Sequence, residues 1–122
     1  MSNLAYHDLE RDFGGSRPRI ACLCGSTRYG LKAYREANLR LTLAGEIVLS
    51  IGCDTKSDDG LSITPEQKTA LDELHKRKID LADYVLILNP GGYIGESTRS
   101  EIEYAEKIGR PVKYLVPPEA AS

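Results

Sequence analysis

The run Tyr84-Val-Leu-Ile-Leu88, Asn89-Pro-Gly-Gly-Tyr-Ile-Gly95, Glu96-Ser-Thr-Arg-Ser-Glu101-Ile-Glu-Tyr-Ala105-Glu-Lys-Ile108 reads as three successive pieces. An apolar strand leads into a glycine-rich loop, and the loop leads into an amphipathic helix. Strand, short loop and helix in that order form half of a parallel α/β unit. At about 100° per residue, Glu101, Ala105 and Ile108 fall on one stripe with Ile102 beside it. Arg99, Glu103, Glu106, Lys107 and Arg110 fall on the opposite side, where water is expected. Glu101 therefore belongs to the inward face. A carboxyl aimed inward costs several kcal/mol or neutralises unless something compensates it, and active sites are one place where such a group is kept.

The rest of the chain repeats the alternation. Arg19-Ile-Ala-Cys-Leu-Cys24, stopped by Gly25, is a buried strand, and residues 28–44 place Leu31, Tyr34, Asn38 and Leu41 at helical spacing before Gly45. Ile47-Val-Leu-Ser-Ile51 is a second strand, and the polar residues 53–63 form a loop. Thr64-Pro-Glu-Gln67 opens a helix to about residue 82, with Thr64 as cap, Pro65 at the first position and Gln67 closing the capping box. A further helix opens near Thr98 and ends at Gly109, with Pro111 beyond. Val112-Lys-Tyr-Leu-Val116 is the fourth strand, and Lys113 marks it as an edge.

Strands alternating with helices predict a small Rossmann-like, flavodoxin-like α/β fold: a parallel sheet of order 2-1-3-4 with helices on both faces. Where the order reverses, the loops after strands one and three splay apart and leave a crevice. Those loops are Gly25-Ser26-Thr27-Arg28 and residues 89–97, the two most unusual segments of the chain. Residues 1–18 read as an N-terminal arm with a hinge at Gly14-Gly15-Ser16, residues 19–118 as one domain, and 119–122 as a tail.

Composition narrows the class. A chain of 122 residues makes one domain, and 41% hydrophobic with 28% charged residues is ordinary for a soluble globular protein. The net charge of −2 argues against a nucleic-acid polymer as partner. No apolar run approaches the roughly 20 residues that span a bilayer, so no membrane association is expected. The polar N-terminus lacks a signal-peptide core, which gives a cytoplasmic expectation. Three cysteines fit that address as reduced thiols that pack as small hydrophobes. Cys22 and Cys24, two apart in the first strand, are expected on opposite faces, unable to share a disulfide or a metal; Cys53 follows the second strand.

In Gly25-Ser-Thr-Arg28 a glycine allows close backbone approach, free N–H groups and the helix dipole favour an anion, and Ser26, Thr27 and Arg28 supply hydroxyls and a phosphate fork. The alternative is a tight turn with a Ser/Thr cap. The P-loop lysine pattern and Gly-x-Gly-x-x-Gly are both absent, which disfavours an NTPase or a dinucleotide enzyme. In the second loop, Gly91 and Gly92 either admit a ligand or serve backbone angles alone. Tyr93 offers a face for a base, and Asn89 a donor and an acceptor. Glu101 has two readings: a nucleophile kept ionised by the helix dipole and nearby hydroxyls, or the last member of a Thr98-Arg-Ser-Glu101 capping box. His75 and Lys78 share the arc of Leu71, Leu74, Leu81 and Ala82 and read as a packed histidine and a snorkelling lysine. Asp54, Asp58 and Asp59 read as a solvated loop rather than a calcium site.

A first strand ending in Cys-Gly-Ser-Thr-Arg28, with Gly95-x-Ser97-Thr98-x-x-Glu101-x-x-x-Ala105 after the third, resembles the nucleoside 2-deoxyribosyltransferase superfamily. That group includes the deoxynucleoside monophosphate N-glycosidases and the CMP hydrolases, and the resemblance spans about residues 19–116. It implies a Rossmann-like domain assembled as a homodimer or larger homo-oligomer, acting on a small-molecule nucleoside or nucleotide without cofactor or metal. It implies that Glu101 attacks the anomeric carbon and that a second base or water then takes the glycosyl group. It also implies that Gly25, Ser26, Thr27 and Arg28 lie along the sugar and its 5′ substituent. Glu103 stands where the family's helix often has glycine, and Asn89 where the transferases commonly have an acid. Arg28 and the hydroxyls of Ser97, Thr98 and Ser100 favour a nucleotide over a free nucleoside. A nucleotide sensor of the same fold and a partner-binding domain are the competing readings. The base, the sugar, and hydrolysis versus transfer stay open.

Overall fold

A computed structural model describes residues 17–27, 31–52 and 62–118. Four strands make one sheet: β1 (Ile20–Cys24), β2 (Ile47–Leu49), β3 (Tyr84–Ile87) and β4 (Val112–Tyr114). The helices are α1 (Leu31–Leu43), α2 (Pro65–Leu81) and α3 (Glu96–Lys107), with a short 3₁₀ turn at Pro90–Gly92. All pairings are parallel and the order is β2-β1-β3-β4, a small α/β Rossmann-like fold. β3 is buried along its whole length, as a central parallel strand must be when both faces are covered. The sheet edge falls on β4, where Lys113 is exposed.

Two apolar layers sandwich the sheet. On one face Ala21, Leu23, Tyr84, Leu86 and Leu88 meet Tyr34, Ala37 and Leu41 of α1. On the other, Cys22, Cys24, Val85 and Ile87 meet Ile79 of α2 and Ile102 and Ala105 of α3. Full burial of a side chain such as Ile79 contributes about 1.5–3 kcal/mol.

The second layer corrects one sequence expectation. Cys22 and Cys24 lie on the same face, because successive side chains of a strand alternate and residues two apart therefore coincide. Cys53 and the acidic residues 54, 58 and 59 lie outside the described residues, as do 1–16 of the arm and the tail. The end of the arm is anchored: Arg17 forks Asp83 at 2.6 and 2.8 Å, and Asp83 also accepts the Ile20 N–H at 2.8 Å. The Arg17 guanidinium, with that N–H, holds the Asp83 carboxyl at about 2.

Local signals explain the helix limits. The Thr64–Gln67 capping box forms in both directions, at 3.0 and 2.9 Å, with Pro65 at the first position. The α2 arc departs from expectation. His75 and Ile79 are buried, whereas Leu74 and Leu81 are 53% and 65% exposed. α3 opens earlier than Thr98, at Glu96, with Gly95 as its N-cap and no side-chain cap bond. The Arg99 N–H already donates to the Gly95 carbonyl at 2.9 Å.

The carboxyl ends of β1 and β3 are joined tightly. The Leu88 N–H donates to the Cys24 carbonyl at 2.7 Å, and Tyr34 Oη donates to the Gly25 carbonyl at 2.8 Å. A Cβ on Gly25 would lie 2.4 Å from the Leu88 carbonyl oxygen, a contact that only backbone displacement could relieve. Gly25→Ala is expected to lower stability by at least about 2 kcal/mol, as overpacking of a rigid site does. Denaturant unfolding measures this, and a midpoint equal to that of the parent would contradict the contact.

Candidate functional site

An open cleft of about 160 Å³ sits at the switch point. The loop after β1 supplies Gly25 and Thr27, and α3 supplies Ser97 and Glu101. The opposite wall is α2, which contributes Lys68, Asp72, His75 and Lys78. Their spacing of three to four residues puts them on one stripe of the helix. That stripe was legible in the sequence as ionisable residues recurring every three or four positions from Lys68 to Lys78, yet an apolar reading of the arc passed over it.

Of the expected site residues, the cleft brings together Gly25, Thr27, Ser97 and Glu101. Ser26, Asn89, Gly91, Gly92, Tyr93 and Thr98 do not line it, and Arg28 lies outside the described residues. Asn89 is instead a clamp at the end of β3. It is 1% exposed, its Nδ2 donates to the Val116 carbonyl at 2.9 Å, and its Oδ1 accepts the Val116 N–H at 2.9 Å. The side chain thus continues the β3–β4 ladder after the strands end. Gly91 and Gly92 have φ of 66° and 83° in the exposed turn, so the backbone itself requires them. Tyr93 is 40% exposed and its ring lies over Gly95, where a Cβ would meet Tyr93 Oη at 3.3 Å. Thr98 is buried inside the first turn of α3.

Glu101 is 9% exposed and sits in the second turn of α3, so the capping-box reading of Thr98 and Glu101 does not hold. The helix begins too early for Glu101 to reach an orphan N–H. Its electrostatics also differ from expectation. Burial pushes the Glu101 carboxyl above the ordinary range, while the charge of His75 and the nearby Cys24 thiol act in the opposite direction. The Ser97 hydroxyl is engaged with Lys68 Nζ at 3.2 Å.

Behind Glu101 lies a buried polar cluster. His75 Nε2 is 3.3 Å from Cys24 Sγ, 3.7 Å from Cys22 Sγ and 3.1 Å from the Leu23 carbonyl oxygen. β2 pairs with β1 only as far as Cys22, so His75 reaches a β1 carbonyl beyond the end of that ladder. Lys78 Nζ donates to the Ser50 carbonyl at 2.6 Å nearby. Burial works against the imidazolium, but its bond to Cys22 and the charge of Glu101 outweigh this and raise the His75 pKa. The two thiols are close enough for their titrations to be coupled. Their interaction lowers Cys22 to about 6 and, together with burial, raises Cys24.

The cleft can therefore hold a small polar ligand against a buried carboxyl, with Lys68, Lys78 and His75 supplying positive charge. No family model, no curated protein and no solved structure matches this chain. No helix among the described residues is long and apolar enough to cross a membrane.

Two outcomes follow from this geometry. Asn89→Ala removes both partners of Val116 and should cost about 2–3 kcal/mol while leaving the cleft chemistry of the folded fraction unchanged. Paired unfolding and ligand-binding titrations separate the two effects. For Glu101 the folded chain holds the proton more tightly than the unfolded chain. Its contribution to stability is thus fully present below the ordinary glutamate range and lost as pH rises through the raised folded value. Glu101→Gln should melt above the parent at neutral pH, and the two should converge in acid. Parallel melting curves at every pH would count against a raised carboxyl.

Proposed function

We propose that this protein cleaves the N-glycosidic bond of a nucleoside 5′-monophosphate or nucleoside, by hydrolysis or by deoxyribosyl transfer, with Glu101 as the nucleophile. The observation that carries this reading is the Glu101 carboxyl, nearly buried yet forming part of the cleft wall at the switch point. It caps no helix, so local folding does not require it. The resemblance of the 19–24 strand with its loop, and of the 95–105 segment, to the nucleoside 2-deoxyribosyltransferase superfamily supports the same role.

In this reaction a Glu101 oxygen forms a bond to the anomeric carbon as the carbon–nitrogen bond breaks. The electron pair leaves with the base, which takes up a proton from solvent, and the later attack by water returns a proton to solvent. Water or a second base then attacks the same carbon and returns the carboxylate. The protein must ionise a carboxyl that burial keeps high, and the neighbouring His75 charge favours that ionised form. Lys68 and Lys78 in the wall suit an anionic substituent, which favours a nucleotide. Leu39, Leu43 and Ile47, exposed at 61%, 78% and 41%, support assembly as a homo-oligomer through the α1 and β2 flank.

A nucleotide sensor without chemistry is the second reading, favoured by the raised Glu101 pKa, since a neutral carboxyl binds sugar hydroxyls but does not attack. Incubation with a panel of nucleotides and nucleosides, with chromatography for free base, tests the enzyme reading. Glu101→Ala should remain folded and lose base release by roughly a thousandfold or more. A 2-fluoro nucleotide analogue should leave a covalent adduct on Glu101 detectable by mass spectrometry. Binding of the analogue with neither adduct nor free base would replace the enzyme by the sensor.

A further inference from the structure

The cluster behind the cleft has a chemistry that glycoside cleavage does not use. Cys22 and Cys24 come from one face of β1 and His75 from α2, and the sulfurs are fully buried. Their three donor atoms all lie within 4.8 Å of one another. His75 Nε2 also meets the Leu23 carbonyl at 3.1 Å, but that bond alone does not call for two thiols beside the same nitrogen. We infer that Cys22, Cys24 and His75 form a binding site for one thiophilic divalent cation of the zinc type, with its open side toward Glu101 and the cleft.

The geometry is close to that of a filled site. Zinc–sulfur bonds of about 2.3 Å and zinc–nitrogen bonds of about 2.0 Å in a tetrahedron put the donors roughly 3.5–3.8 Å apart. His75 Nε2 already stands 3.3 and 3.7 Å from the two sulfurs. Two thiolates and a neutral imidazole suit zinc, and two thiolates cancel its double charge, so the filled site adds no net charge to a dry interior. Binding one Zn²⁺ forms two Zn–S bonds and one Zn–N bond and releases to solvent whatever protons the two thiols still carry. Nε2 must present its lone pair to the metal, so the proton it would share with the Leu23 carbonyl moves to Nδ1. His75 and Glu101 line the cleft, which gives the cation a route from solvent. The inference does not depend on the glycosidase reading, because β1 and α2 alone place the ligands; with the metal bound, His75 is neutral and no longer favours the ionised Glu101.

The test is a Co²⁺ titration of the reduced full-length protein carrying Cys53→Ser, which removes the third thiol. Thiolate-to-cobalt charge-transfer absorption should saturate at one equivalent per chain and be bleached by Zn²⁺. Cys22→Ser or Cys24→Ser alone should retain about half of that absorption, as expected for one thiolate in place of two. Absence of the band in excess Co²⁺, or an unchanged band in the Cys22→Ser/Cys24→Ser double variant, would overturn the site. If the cysteine variants fail to fold, X-ray absorption of the zinc-loaded Cys53→Ser protein decides. Two sulfur neighbours at about 2.3 Å support the assignment, and a shell of nitrogen and oxygen alone refutes it.

Discussion

The pairing of β1 with β3 at the centre of the sheet is the constraint on which everything else rests. Ala21 to Cys24 run in register with Tyr84 to Ile87, and the ladder closes with the Leu88 N–H on the Cys24 carbonyl. Immediately beyond, Gly25 passes so near the Leu88 carbonyl that no side chain fits. Two loops must then leave the sheet in different directions from adjacent points. The cleft lies between the loop after β1, the start of α3 and the facing side of α2, and the loop after β3 stays outside it. Gly25 is thus required for the architecture as much as for any ligand.

The same strand supplies the polar groups behind the cleft. Because β1 is buried on both faces, Cys22 and Cys24 face α2 and α3 in a layer otherwise made of valine, isoleucine and alanine. His75 and Glu101 reach that layer from two helices, so four titratable groups meet where water is scarce. In such a medium their protons are coupled: a charged His75 favours an ionised Glu101, and the proximity of Cys22 and Cys24 splits the two thiol affinities.

The structural clamps lie away from that cluster. Asn89 takes over the β3–β4 ladder with both ends of its amide, and the Arg17–Asp83 pair fixes the beginning of β1 at the opposite end of the sheet. Both are polar residues at strand ends, the position where function is commonly sought in an α/β sheet. Their hydrogen-bond partners, not their location, mark them as structural. Tyr93 and the glycines beside it form an exposed turn that spaces β3 from α3 without entering the cleft.

Periodicity in the sequence determined the architecture: four apolar runs, the helices between them and the order 2-1-3-4 are all present in the structure. It also determined the inward position of Glu101, because a helical stripe depends only on spacing. Local chemistry fixed the start of α2 at Thr64, where every partner lies within four residues. The Gly95 start of α3 was not legible, since Thr98 offered an equally good local cap and only the path of the preceding turn chose between them. Asn89 and Val116 are 27 residues apart, and His75 is more than 50 from each cysteine it approaches. Such partners are chosen by strand register and by the angle at which a helix crosses the sheet. Those quantities exist only once the chain has packed, which is why the polar cluster, and the placing of the α2 stripe across from Glu101, belong to the tertiary structure alone.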